Sequence, residues 1–294
     1  MGMDIRPDQS FHRTQMKRPN RPLQFWTITV LSGAALLTYL FATAPVPLDT
    51  GKEERMTMST EEALTLLAHE NDVTRTLFTK AIVGKGKAQG LTFSEDWAEQ
   101  HVIAGPLPAL FLRGVARHLA DTEVPLSLFL GSDFPIEGAN LFEGRQAEEF
   151  AAMRMDSLPK HFLDGDSNSH VSMFPDFAGA APCVDCHNAH ERSPKSDWAM
   201  GDIMGATTWA YPSDSVTTDE FMAMLNAYRA GVSVVWSDYL AELDQMQPNA
   251  KPAVGNEWPS AGLFIPDHAT LRDSIDDLAG PHILSQLARH TTRR

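Results

Sequence analysis

Apolar residues recur at helical and strand periods in well-separated blocks along this chain. Ser59 and Glu62 make a capping-box pattern, and Leu64, Leu67, Val73, Leu77 and Ala81 follow at near-helical spacing. A helix is therefore predicted from Ser59 to about Gly84 or Gly86. Pro106 and Pro108 mark a turn that opens a second helix running to about Ala120. Val124, Leu126, Leu128 and Leu130 alternate along the chain, which is the period of a half-buried strand. Residues 142–158 read as a helix, and "HFLDGDSNSHVSMF" as two short strands around a hairpin signal at Asp164-Gly165. "GDIMGATTWAY" is strand-like again, and an amphipathic helix is predicted over 217–246. Its Met222, Leu225, Val232, Val235, Trp236 and Leu243 share an apolar face. The tail from Gln247 is rich in proline and glycine, with one short helix expected over Ala279–Arg289. This order gives an α+β domain, an antiparallel sheet with flanking helices, over residues 59–212, followed by a helical C-terminal extension over 213–294. No internal repeat is present.

One block has no period at all. "FWTITVLSGAALLTYLFATA" runs from Phe25 to Ala44 without a charge, and its 20 residues match the thickness of a bilayer's hydrocarbon core, about 30 Å. Trp26 and Tyr39 sit toward its ends, where interfacial aromatics are favoured. Ala42-Thr43-Ala44 imitates a signal-peptidase site, but the run is longer than a signal h-region, its leader is long, and Pro45 would follow the cut. The expectation is an uncleaved transmembrane anchor over 25–44, with a polar linker over 45–58.

Charge orients that anchor. The first 24 residues carry five cations, Arg6, Arg13, Lys17, Arg18 and Arg21, against Asp4 and Asp8, so this arm is net +3. The chain as a whole is −14, which leaves −17 on the remainder. The positive-inside rule puts the basic arm, residues 1–24, in the cytoplasm and the acidic body on the far side of the membrane. In a bacterium that is a single-pass inner-membrane protein with its body in the periplasm. An acidic body also repels nucleic acid. Glu61-Glu62 and Asp276-Asp277 read as solvated helix faces, and there is no Gly-rich phosphate loop, GxSxG elbow or HExxH. The chain gives an enzyme reading no positive support.

The chemistry sits in "APCVDCHNAH", which holds both cysteines of the chain, Cys183 and Cys186. Two cysteines three apart suit a redox disulfide, half a zinc site or a haem attachment. Zinc wants four ligands, and there is no second C-x-x-C. A thioredoxin-like pair would sit near a βαβ pattern, which the element order lacks. C-x-x-C-H is the attachment motif of haem c: both thiols add to vinyl groups, and the adjacent His187 becomes the proximal iron ligand. Export across the membrane agrees with that chemistry.

The string "CVDCHNAHERSPKSDWAMGDIMGA" resembles the haem loop, CVxCHNxHPxSPKxDWxxGDxRG, of the periplasmic PAS-like c-type haem domains at the sensory end of bacterial cyclases and chemotaxis receptors. "VTRTLFTKAIVGK", "GPLPALFLRGVARHL" and "LGSDFPIEGANLFE" extend the resemblance to about residues 65–210. It implies a PAS-like sheet cradling one covalently bound haem c, with Cys183, Cys186 and His187 as its attachment and proximal residues. Glu191 replaces the family's proline after His190, and Met204 stands where its arginine often lies. The family's receptors continue through a second membrane helix into a cytoplasmic output domain, which this sequence does not contain.

For the distal side of the iron, His69 on the first helix and His170 on the strand entering the haem loop are the candidates, with Met153, Met155 and Met173 as alternatives. His190, Lys195, Trp198 and Asp202 are candidates for the surrounding shell: a loop or propionate hydrogen-bonding role for His190, packing for Trp198, a solvated surface for the other two. Two function classes follow. One is a membrane-tethered sensor of redox state or diatomic gas, acting through a protein partner or as a homodimer docked by the 217–246 helix. The other is an electron-transfer cytochrome relaying between periplasmic partners or to a membrane complex.

Overall fold

The computed structural model describes residues 57–260, 262 and 264–292, together with Gly33, Ala34 and Tyr39. The basic arm, almost all of the expected anchor and most of the linker lie outside the described residues, and among the described residues no helix is long and apolar enough to cross a membrane.

A short strand, β1 (Thr57–Ser59), leads into α1 (Thr60–Leu77), whose N-cap is Ser59, its hydroxyl accepting from the Glu62 N–H at 3.2 Å. The helix runs on through a π-helical stretch, Phe78–Gly84, into α2 (Lys85–Ala88), so the predicted end near Gly84 or Gly86 falls within about one turn of the real one. Two very short strands, β2 (Phe93–Ser94) and β3 (Gly105–Pro106), pair in parallel across a loop and precede α3 (Pro108–Ala120), which carries Pro108 in its first turn.

The predicted sheet then forms from β4 (Ser127–Gly131), β5 (Lys160–Asp164), β6 (Ser169–Phe177) and β7 (Ile203–Tyr211), antiparallel throughout in the order β4-β7-β6-β5. Between β4 and β5 lies α4 (Gly144–Asp156). The β5–β6 turn is not the tight Asp164-Gly165 turn read from sequence. Four residues connect the strands, Asn168 takes the left-handed backbone (φ +48°), and the Asp164 carboxylate accepts from the Ser167 hydroxyl at 2.6 Å. A carboxylate that closes its own loop relieves glycine of that task.

The sheet separates two apolar layers, because side chains alternate across it. Phe129, Phe162, Met173 and Ala206 face α4 and join Phe142, Phe150 and Met153 in a small core. Leu128, Leu130 and Trp209 face the other way, into a large core with α1 and α3. The third helix of that layer is α6 (Thr218–Asp244), entered from β8 (Ser215–Thr217), which pairs with β1. Thr217 and Glu220 make a reciprocal capping box at its start. Helix α6 packs along α3 and buries Phe221, Tyr228, Trp236 and Tyr239 completely. Phe221 alone contributes roughly 1.5–3 kcal/mol of transfer free energy. The apolar face expected to dock a partner is therefore inside this fold: Leu225, Val232, Val235, Trp236 and Leu243 are buried, and Met222 alone of the six is exposed. The residues read as an extension belong to the same compact unit as the sheet.

The short C-terminal helix expected over Ala279–Arg289 is in fact α7 (His268–Thr292), with Pro281 in its interior, preceded by the parallel pair β9 (Val254–Gly255) and β10 (Ile265–Pro266). Leu271, Ile275, Ala279 and Ile283 recur every four residues and are all buried in the large core. That stripe holds a helix through a proline that taken alone argues for a break.

Candidate functional site

Strand β6 ends in a register irregularity at Asp176 and Phe177, and the chain then enters α5 (Ala181–Ala189), with Pro182 in its first turn. Cys183, Cys186 and His187 stand at i, i+3 and i+4, so the helix period puts both thiols and the imidazole on one side within a single turn. No residue of α5 is buried. Cys183 and His187 are half-buried, Cys186 is exposed, and both thiols are free.

The loop after α5 explains how that helix is held. The Asn188 side chain grips the Trp198 backbone twice, accepting from its N–H at 2.8 Å and donating to its carbonyl at 2.9 Å. Trp198 is 4% exposed, packs edge-on to Phe134, and carries the Lys195 ammonium 4.6 Å above its ring. Lys195 also pairs with Asp197. The Asp202 carboxylate accepts from the Ala199 N–H at 2.9 Å, and its carbonyl accepts from the Ala178 N–H at 2.8 Å, pinning the end of the loop to its beginning. Trp198 has the packing role read from sequence; the Asp202 carboxylate makes its bond to the Ala199 N–H at the exposed surface.

His190 caps the C-terminal end of α5, its N–H donating to the Cys186 carbonyl at 2.9 Å. Its Nε2 lies 3.2 Å from Glu95, while its Nδ1 accepts from the Arg192 N–H at 3.1 Å. Arg192 reaches Glu95 at 3.3 Å and grips both oxygens of Glu137 at 2.9 and 3.0 Å. Three loops, those carrying Glu95, Glu137 and Arg192, are thus tied by charge beside the cysteine helix. The Arg192 pairs are surface-exposed, so their strength falls with added salt.

On the other flank, Asp176 at the end of β6 pairs with Arg75 near the end of α1, each side chain 26% exposed. Burial, then Asp176, pushes the Cys183 thiol up, so it stays protonated. Burial, then neighbouring His190, pushes His187 down, with Glu95 and Asp176 acting against that shift. A neutral imidazole is the form that binds a metal. His187 Nδ1 is buried with no hydrogen-bond partner.

The distal candidates do not gather here. The His69 ring lies 4.3 Å from that of His282, between α1 and α7. His170 pairs with Leu163 and Tyr211 near the start of β6, seven residues and about 23 Å of strand before Phe177. Met153 and Met173 fill the small core on the opposite face of the sheet from the Arg75–Asp176 pair, and Met155 is 89% exposed on α4. The reason is common to all five: sequence gives the element a residue sits on, but the partner that each element packs against decides where its side chain ends.

His69 has a measurable consequence. Burial, and then His282, holds its imidazole below the ordinary range. Below pH ~6.5 the unfolded chain then binds more protons than the folded one, so stability is lost as pH falls through that value. Denaturant midpoints at pH 7.5 and 5.5 are expected to differ less in a His69→Gln variant than in the parent. An unchanged difference refutes the assignment.

Arg75, Glu95, Asp176 and Asn188 were not singled out by sequence reasoning. Arg75 and Asn188 lie within stretches that carry the family resemblance; nothing local marks Glu95 or Asp176. Among the described residues no three His, Cys, Asp or Glu side chains converge as a metal-binding group. Helix α5 joins antiparallel neighbours and not the strands of a βαβ unit, which removes the setting of a thioredoxin-like pair. No protein-family model, curated protein or solved structure matches the chain. Fold and site together define an α+β domain presenting a C-x-x-C-H helix at its surface.

Proposed function

We propose that this is a membrane-anchored periplasmic haem protein: a PAS-like domain carrying one haem c on Cys183 and Cys186, with His187 on the iron. It works as a sensing or accessory module through a partner protein, without catalysis of its own. One observation carries the reading. Two unbridged thiols and an imidazole share one turn of a helix none of whose residues is buried, and Asn188 ties that helix to the backbone of Trp198 in the following loop. The residues fit the group, since the buried, unpartnered His187 Nδ1 leaves a ligand's second nitrogen awaiting an acceptor. When bound, the haem would supply a redox-active iron. Cys183 and Cys186 would hold it, His187 would bind its iron, and Asn188 and Trp198 fix the loop that follows. The resemblance of the haem loop favours sensing. Electron transfer is the second reading, favoured by the exposure of Cys186, which leaves that attachment position open at the protein surface.

The test is expression of the full chain with a haem c maturation system, followed by haem staining of a denaturing gel. Wild type is expected to stain and a Cys183→Ala/Cys186→Ala variant to lose the stain. A wild-type band without haem, or equal staining of both, sinks the proposal. Optical spectra of the reduced protein with and without CO or NO then separate the two readings: a haem indifferent to both gases, with fast electron exchange, supports the second and excludes gas sensing.

A further inference from the structure

Away from the cysteine helix, two imidazoles meet where α1 packs against α7. The ring centres of His69 and His282 lie 4.3 Å apart, and the ring planes are inclined at 47°. His69 is half-buried, and its Nε2 is fully buried with no hydrogen-bond partner. A buried nitrogen left unsatisfied costs free energy unless something binds it. His282 is exposed, and its ring makes no hydrogen bond among the described residues; only its carbonyl is engaged, by the Ser285 hydroxyl at 2.7 Å. Asp72 stands at i+3 from His69 on α1, on the same side of that helix, and is exposed.

We propose that His69 and His282 form a binding site for a divalent late transition-metal ion, of the Ni²⁺, Cu²⁺ or Zn²⁺ class, which clamps α7 to α1. Two imidazoles in adjacent positions on one ion, each bonded at about 2.0–2.1 Å, hold their ring centres roughly 4.5–5 Å apart. The observed 4.3 Å is short of that by less than about 1 Å, and the exposed His282 ring is the one with room to turn. Imidazole nitrogen suits these ions, whereas Mg²⁺ and Ca²⁺ take oxygen ligands. Burial, then His282, also keeps His69 in the neutral form that a metal requires. Water fills the remaining positions, so the ion exchanges with solution, and the Asp72 carboxylate adds a favourable negative charge nearby. The clamp acts at a weak point of α7, because Pro281, the residue before His282, removes one backbone N–H from the helix. This site is separate from the C-x-x-C-H helix and does not rest on haem attachment.

The experiment uses the full chain in detergent, stripped of loose metal with EDTA, freed of the chelator, and held at about pH 7.5, where imidazoles are neutral. Calorimetric titration with Ni²⁺ alone gives the dissociation constant, and urea unfolding followed by circular dichroism gives stability with and without the ion. At a free Ni²⁺ concentration about a hundredfold above that constant, the folding equilibrium constant of the parent is expected to rise about a hundredfold. His69→Gln and His282→Gln are each expected to weaken binding about tenfold or more, and the double variant to lose no more than either single one, because the two rings act as a pair. His170→Gln, on β6, is expected to keep the parent's response. No Ni²⁺ response in the parent overturns the proposal. So does a response that survives in both single variants, which places the ion elsewhere, or one lost in only one of them, which makes the ligand a lone histidine. Should His69→Gln fail to accumulate, the exposed His282→Gln decides alone: an unchanged response overturns the proposal.

Discussion

Replacing Arg229 by alanine is expected to lower the unfolding free energy of the domain by about 3–5 kcal/mol, because it leaves a buried carboxylate without its counter-ion. Glu70 on α1 has no exposed side-chain surface, and Arg229 on α6 grips both of its oxygens, Nε at 2.5 Å and the second guanidinium nitrogen at 2.9 Å. The same guanidinium reaches Asp276 of α7 at 2.7 Å. One side chain therefore joins three helices of the large core. A surface ion pair would contribute less than about 1 kcal/mol, so burial is what makes the difference here. A typical domain has about 5–15 kcal/mol in total, which makes this loss a large share. Urea unfolding monitored by tryptophan fluorescence reads it directly. Adding Glu70→Gln to Arg229→Ala is expected to recover part of the loss, since the unpaired charge goes. A single variant within about 1 kcal/mol of wild type shows that Glu70 is neutral or hydrated, and that the three helices are held by apolar contact alone.

That ion triad marks where the sequence stopped being legible. Local signals carried the elements well: the Ser59 cap, Pro108 in the first turn of α3, the Leu126–Leu130 alternation and the long helix over 217–246 all correspond to real structure. Each is decided within a few residues by capping, backbone restriction or periodicity. Long-range pairing was not visible. Glu70 and Arg229 are 159 residues apart, and neither looks unlike a solvated charge on a helix face. For the same reason the apolar stripe of α6 looked available to a partner, although α3 and α7 cover it. Helix α7 was underestimated because Gly280-Pro281 argues locally against helix, while Leu271, Ile275 and Ile283 contribute only once they meet the core. At the candidate site the division is similar. Cys183, Cys186 and His187 are one contiguous motif and were legible as such. Asp176 is contributed by the sheet and Arg75 by a helix 101 residues earlier, so only the folded chain brings them beside it.

Gly205 ties the stability of the sheet to the candidate site, and Gly205→Ala is expected to disturb both. A Cβ at Gly205 would fall 2.5 Å from the backbone carbonyl oxygen of Gly131 on β4, a contact that no rotamer change relieves. Strands β4 and β7 must therefore separate at this end, which corresponds to overpacking costs of about 1–3 kcal/mol, with a backbone obstacle toward the upper value. Gly205 is also the cross-strand partner of Asp176, so the displacement reaches the carboxylate that Arg75 holds. The expected result is a lowered urea midpoint together with faster amide hydrogen exchange in β4 and at the end of β6. Gly138→Ala is the control: nothing lies within 4 Å of its added Cβ, and the change should stay within about 0.5 kcal/mol. If Gly205→Ala behaves like that control, β4 and β7 are not packed as closely at this end as the carbonyl contact requires. If it destabilises β4 while exchange at the end of β6 stays unchanged, the sheet does not transmit strain to Asp176, and the site is insulated from its own scaffold.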